Sequence, residues 1–159
     1  RYRAEVEIKG LSFDVAVPGS PVSVRMDEQG YKLVISNLVS NAIKYTQAGS
    51  VWVSLDVRDA WAELAVSDSG IGIPAGDIPK LFAEFFRASN AKKQKLPGSG
   101  VGLAGVKAVV ERFGGHIELA STENVGSTFT VRLPLAAEAS AQTKRGRANS
   151  PAARDRRAD

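Results

Sequence analysis

The chain has no cysteine, a single methionine and a single histidine among its 159 residues. Without cysteine there is neither a disulfide framework nor a thiolate metal site, and nothing marks an oxidising compartment. A cytoplasmic setting is the expectation. No apolar run approaches the roughly 20 residues that carry a helix across a bilayer. Arg1 stands where an initiator methionine would, so we expect a piece of a longer protein, the cytoplasmic portion of a parent whose membrane anchorage the sequence leaves open. Hydrophobic residues make up 43% of the chain and charged ones 24%, which suits one globular domain with a real core.

The net charge is +4, and its location decides how far a nucleic-acid reading can go. Residues 136–159, AAEASAQTKRGRANSPAARDRRAD, hold six basic and three acidic groups, leaving 15 basic against 14 acidic in residues 1–135. The tail is rich in Ala, Arg and Ser without apolar periodicity and reads as disordered. With the body almost neutral, no nucleic-acid partner is expected.

Along the body, residues 5–9 and 12–17 alternate in strand fashion about Gly10, with Val6, Ile8, Phe13, Val15 and Val17 as inward candidates and Pro18-Gly19 closing the pair. This predicts a hairpin, followed by a short strand at Val22 to Val24. Asp27 is a good N-cap for a helix from Glu28 to about Tyr45, on which Tyr31, Val34, Ile35, Leu38, Val39, Ala42 and Ile43 form one apolar arc. Residues 50–57 and 61–67 read as strands around a turn at Arg58 to Ala60, the second running into Asp68. A short helical piece is expected near Asp77 to Phe86. A polar, lysine-rich stretch from Ser89 to Pro97 resembles a lid. A helix from about Gly100 to Phe113 stops at Gly114-Gly115, and strands His116 to Ser121 and Ser127 to Leu135 finish the body. Strands and helices in this order predict a two-layer α/β (α+β) sandwich, one mixed or antiparallel sheet with helices on one face.

Three motifs fall at element ends: NLVSNAIKYT at 37–46, DSGIGIP at 68–74 and GSGVGL at 98–103. Asn37, Asn41 and Lys44 lie within about 60° of one another on a helical wheel, beside the apolar arc. Asparagine offers neutral carbonyl oxygens of the kind Mg²⁺ accepts when phosphates and water complete its shell, and lysine offers a point charge for phosphate. One such asparagine would be an ordinary solvated residue; two with a lysine, directly before DSGIGIP, point to a site. Asp68 is an acceptor-only carboxylate at a strand end, matched to the exocyclic amine of adenine better than to guanine's carbonyl. An Asp capping the following turn is the competing reading. Gly98, Gly100 and Gly102 precede a helix whose free N–H groups and positive end suit an anion. Arg87 could reach a terminal phosphate. His116 reads as structural.

Taken together these residues resemble the catalytic ATP-binding domain of bacterial sensor histidine kinases, in the superfamily that includes gyrase, Hsp90 and MutL. The resemblance covers about residues 5–135. It rests on an asparagine box (Asn37, Asn41, Lys44, Tyr45), a first glycine box (Asp68, Gly70, Gly72), an aromatic box (Phe82, Phe85, Phe86), a second glycine box (Gly98, Gly100, Gly102) and GSTF at 126–129. It implies the Bergerat fold, a mixed sheet with about three helices on one face.

By the same resemblance, Asn41 would coordinate Mg²⁺ with help from Asn37, Lys44 and Tyr45 would contact phosphates and ribose, and Asp68 would bind the adenine amine. Arg87 would steady the γ-phosphate, residues 88–99 would form the lid, and Ile73, Ser99, Val101, Leu103 and Thr128 would complete the ATP site. The family often has Thr and Leu where this chain has Ser99 and Val101, and a bulkier residue at Gly105. In the ATPase branches the position of Asn37 is typically a glutamate that activates water; asparagine cannot be that base. Transfer of the γ-phosphate to a protein histidine is therefore favoured over the alternatives, a self-sufficient ATPase or a non-catalytic interaction module. The acceptor histidine would lie on a dimerisation domain of the same parent, absent from this chain, with a response regulator downstream. The fragment is expected to be monomeric and the parent homodimeric.

Overall fold

The structure, a computed structural model, describes residues 1–137. The basic tail therefore lies outside the described residues, except for Ala136 and Ala137. The elements in chain order are helix α1 (Arg3–Lys9), strand β1 (Ser12–Ala16), helix α2 (Glu28–Tyr45), strands β2 (Ser50–Arg58) and β3 (Trp61–Asp68), a single 3₁₀ turn (Ile78–Lys80), helices α3 (Ser89–Lys93) and α4 (Gly102–Arg112), and strands β4 (His116–Thr122) and β5 (Gly126–Pro134). The sheet runs β1-β2-β3-β5-β4. Only β1 and β2 pair in parallel; the other three pairings are antiparallel, so the sheet is mixed as expected.

The first prediction to fail is the opening hairpin. Residues 3–9 are a helix and not a strand. Arg, Ala, Glu and Lys in RAEVEIK are strong helix formers, and this outweighs the two-residue alternation of Val6 and Ile8. Gly10 ends the helix in the left-handed region at φ 62°, its N–H bonded to Glu7 O and that of Leu11 to Val6 O, the paired closure of a helix C-terminus. Ile8, expected inward, is 86% exposed. The strand at Val22 to Val24 reduces to one bridge between Val24 and Leu135. The helical piece at Asp77 to Phe86 is the 3₁₀ turn followed by turns.

Helix α2 keeps its predicted bounds, and Asp27 caps it by accepting from Gly30 N at 2.6 Å. Val34, Leu38, Val39, Ala42 and Ile43 are buried, whereas Tyr31 and Ile35 at the edge of the arc stay about 40% exposed. The buried arc packs on β2 and β3 and beside α4, whose Val106 and Val110 are fully buried. From the sheet, Val51, Val66, Phe129 and Val131 meet them. Helix α1 leans on α2 through Tyr2 Oη, which donates to Ser36 O at 3.2 Å. The opposite sheet face is polar: Arg132 on β5 bridges Glu63 on β3 at 2.8 Å and Glu118 on β4 at 2.9 Å. His116 sits on that edge, edge-on to Trp61 at 5.4 Å, consistent with a structural residue.

Leu38→Ala should cost about 2–5 kcal/mol in denaturant unfolding, because the side chain is enclosed, while Ile35→Ala should cost under about 1 kcal/mol. Equal losses would contradict the division of the arc. Gly105 lies inside α4 with open space where a Cβ would go, so Gly105→Ala should stabilise by about 0.5–1 kcal/mol, read as a rise in Tm.

Candidate functional site

On β3 the row Ala62, Leu64, Val66 turns toward the helices, and the two-residue period carries Asp68 onto the same face. Register sets Asp68 opposite Val51 on β2 and Ser127 on β5, both buried. A carboxylate is thus delivered to the end of an apolar row. Burial pushes its pKa above the ordinary value near 3.8, with hydrogen bonds from the Gly70 and Ser127 backbone acting in the opposite direction. Gly70 N donates to Oδ1 at 2.9 Å, so the turn-capping reading of Asp68 holds. With the Ser127 backbone contact counted as well, the two oxygens, with about four lone-pair sites between them, still have acceptor capacity for a ligand.

Asp68 opens onto a cleft of about 260 Å³ between α2, the segment after β3, the lid and the start of α4. From α2 come Asn37, Asn41, Lys44 and Tyr45; from the first glycine box Gly72 and Ile73; from the lid region Arg87, Gly98, Ser99, Gly100, Gly102 and Leu103. Three predicted residues are not among its walls. Gly70 abuts the end of α2, where a Cβ would lie 2.4 Å from Tyr45 O, Val101 is 43% exposed to solvent, and Thr128 is on the other face of the sheet, its Oγ1 2.8 Å from Ser67 Oγ. The reason for Thr128 is strand alternation: Ser127 and Phe129 face the helices, so the residue between them cannot.

The cleft also takes residues that the sequence did not single out. Ile71, Leu81, Ala88 and Ala91 line it with apolar surface beside Phe86 of the aromatic box and Phe129 of the GSTF segment, whose Ser127 adds a buried hydroxyl. Of the aromatic box, Phe82 meets Phe129 edge-on at 6.4 Å, Phe86 faces the cleft, and Phe85 is 74% exposed. Asn90, in the supposed lid, is only 8% exposed. Its Nδ2 donates to Gly72 O at 2.9 Å and to Ile71 O at 3.4 Å. Ser89 N and Oγ both donate to Asp77 Oδ2 at 2.7 Å. The first turn of the lid is therefore a short helix bound to the first glycine box. No local signal in this polar run marks the amide as buried.

At the other end of the cleft the polar groups are donors. A Cβ placed on Gly98 would lie 3.4 Å from Lys44 Nζ, 3.4 Å from Tyr45 Oη and 3.5 Å from Arg87 Nε, so the three converge on that glycine. The Lys44 ammonium stacks on the Tyr45 ring at 4.3 Å. Arg87 donates from Nη2 to Leu96 O, while its Nε is buried with no hydrogen-bond partner among the described residues. An orphaned, charged donor among other donors is a setting for an anion. Helix α4 starts beside it, its first turn uncapped by any side chain, which leaves N–H groups of the kind that bind anions. Asn37 Nδ2 donates back to Leu33 O at 2.9 Å, with its Oδ1 against Gly102.

A two-layer sandwich with a cleft that is acidic at one end and cationic at the other, walled by helices and a lid, is the class that fold and site define. Residues 26–137 match the family described as histidine kinase-, DNA gyrase B- and HSP90-like ATPase. The chain belongs to that family. It is 39% identical over 125 residues to the sensor histidine kinase WalK of Bacillus subtilis, covering 77% of this chain and 20% of WalK. It is 36% identical over 118 residues to the sensor histidine kinase RcsC of Escherichia coli, covering 74% of this chain and 12% of RcsC. Among solved structures, the mycobacterial sensor histidine kinase MprB superposes with a TM-score of 0.72 at 31% identity, over 84% of this chain and 90% of that one. The chain thus spans a fifth or less of these two curated relatives.

The raised pKa of Asp68 gives a signed prediction. The unfolded carboxyl ionises near 3.8 and the folded one higher, so above the folded value the native state carries a partly desolvated charge that the unfolded state solvates fully. Stability from this group is full at low pH and falls as pH rises through that window. Asp68→Asn removes the charge and keeps the shape. Without ligand it should raise Tm at neutral pH and leave it unchanged near pH 3. A lower Tm at pH 7 would mean the carboxylate is stabilising.

Proposed function

We propose that this chain binds Mg-ATP in the cleft and, as the catalytic domain of a two-component sensor histidine kinase, donates the γ-phosphate to a histidine on a dimerisation and phosphoacceptor domain of the same parent. The observation that carries the reading is the polarity of the cleft: a partly buried carboxylate at the adenine end, and Lys44, Tyr45 and Arg87 gathered about Gly98 at the phosphate end.

Asp68 accepts from the adenine amine while Ile73, Leu81 and Phe129 enclose the ring's faces. Lys44 and Arg87 compensate phosphate charge in a partly desolvated setting, where such pairing is stronger than in water. Gly98, Gly100 and Gly102 bring backbone N–H groups to the phosphates. A magnesium ion fits Asn41, with Asn37 assisting, because neutral amide oxygens suit an ion that phosphates and water also ligate. Among the described residues no cluster of three or more His, Asp, Glu or Cys could hold a metal alone, which agrees with a metal brought in on the nucleotide. Bound there, magnesium would neutralise phosphate charge and orient the terminal group.

Asn37 and not a carboxylate stands where a hydrolytic base would, its amide already engaged with Leu33 O, so the protein positions the γ-phosphate for an external nucleophile. A response regulator would take the phosphate in turn. We place this chemistry in the cytoplasm, with this piece monomeric and the parent homodimeric. Among the described residues no helix is long and apolar enough to cross a membrane.

The test combines the chain with the purified acceptor domain of its parent and γ-labelled ATP. Label should appear on the acceptor as an acid-labile, base-stable adduct, require Mg²⁺, and be lost with Asp68→Asn or Asn41→Ala. Steady phosphate release without acceptor would replace transfer by hydrolysis, and a folded chain that takes up no ATP at millimolar concentration would overturn the reading.

A further inference from the structure

Helix α1 lies outside the matched residues 26–137, yet its last residue reaches the far end of α2. Lys9 Nζ donates to Ile43 O at 2.7 Å, Lys44 O at 3.2 Å and Thr46 O at 3.5 Å. The last four carbonyls of a helix have no partner within it, and in α2 each is taken from outside the ladder. Thr46 Oγ1 serves Ala42 O at 2.7 Å, Lys9 serves Ile43 O and Lys44 O, and Ile71 N serves Tyr45 O at 3.1 Å. Lys9 is the one charged group in this set. A helix C-terminus carries roughly half a negative charge. Lys44 and Tyr45 stand on that turn, where the backbone's own field opposes an anion.

We propose that Lys9 is a positioning residue for the phosphate end of the cleft. Its ammonium fixes the backbone from which Lys44 and Tyr45 project, and it offsets the negative end of α2 that a polyphosphate would otherwise meet. The proposal rests on the nucleotide reading above. It extends the working domain to α1, beyond the matched segment.

The test titrates the full chain calorimetrically with Mg-ATP and, separately, with adenosine, which lacks phosphates. Wild type is compared with Lys9→Met, which keeps the stem and removes the charge, with Lys9→Arg, and with Tyr2→Phe, which removes the other α1-to-α2 hydrogen bond without altering charge. Lys9→Met should weaken ATP by about three- to thirtyfold and leave adenosine within about twofold; Lys9→Arg should restore most of the loss, and Tyr2→Phe should leave the ATP-to-adenosine ratio as in wild type. If Lys9→Met fails to fold, Lys9→Gln replaces it with the same readouts. Unchanged ATP binding, or equal weakening of both ligands, overturns the proposal. Wild type that binds neither ligand overturns the nucleotide reading instead.

Discussion

The distance between Asp68 and the last turn of α2 depends on backbone crossings that no side chain could occupy. A Cβ on Gly70 would lie 2.4 Å from Tyr45 O, one on Gly126 2.0 Å from Asp68 O, and one on Gly72, at φ 62°, 2.0 Å from Thr122 O. Through these gaps Ile71 N reaches Tyr45 O and Asn124 N reaches Ile71 O. Helix end, strand end and the β4–β5 turn are joined at one place. The first glycine box is thus glycine for the sake of protein-on-protein contact, and a ligand meets the outcome: a carboxylate and a lysine on separate elements held in one frame. Close approach of backbone to ligand, the usual argument for such glycines, is not what the geometry requires at Gly70.

That frame separates two electrostatic environments. At one end an apolar row carries a carboxylate partly out of water and raises its pKa; at the other, charged donors cluster where Arg87 Nε has no partner among the described residues. Each is unfavourable in isolation. A ligand with a hydrogen-bond donor at one end and negative charge at the other relieves both, so the energy stored in the empty fold becomes selectivity. Guanine offers Asp68 an acceptor and would leave the first cost in place.

Much of this was legible because chemistry and periodicity agreed. Asp27 with the α2 arc, the two strands around the turn after Arg58, and the glycine stop after α4 all follow from local signals. Where the sequence misled, two signals conflicted. RAEVEIK alternates like a strand but is made of helix formers, and the αL cap at Gly10 decides between them. Thr128 belongs to a recognisable motif, but its parity on β5 points it away from the cleft. Asn90 was invisible for a different reason: its value comes from Gly72 O, eighteen residues away in sequence, and no local pattern encodes that contact. The role of Lys9 is hidden in the same way, across more than thirty residues.

The segment from Ala88 to Ser99 is held at both ends and lines the cleft between them. Asn90 and Ser89 tie its first turn to the glycine box and to Asp77, and at its other end Gly100, at φ 77°, sits against the Phe85–Phe86 backbone with Phe85 N bonded to Gly100 O at 2.9 Å. Between these anchors, Leu96 O takes Arg87 Nη2 and Gly98 stands among Lys44, Tyr45 and Arg87. The backbone of this segment thus already engages Arg87, one of the donors proposed to meet a phosphate. The cleft of about 260 Å³ is slightly below the roughly 300–1,000 Å³ usual for small-molecule sites. On the proposed reading, a phosphate meeting Arg87 would replace a neutral carbonyl acceptor with an anionic one. Both bonds have an ionised donor and are charge-assisted, so the exchange would favour the phosphate through the attraction of opposite charges, which is stronger in a partly desolvated cleft than in water.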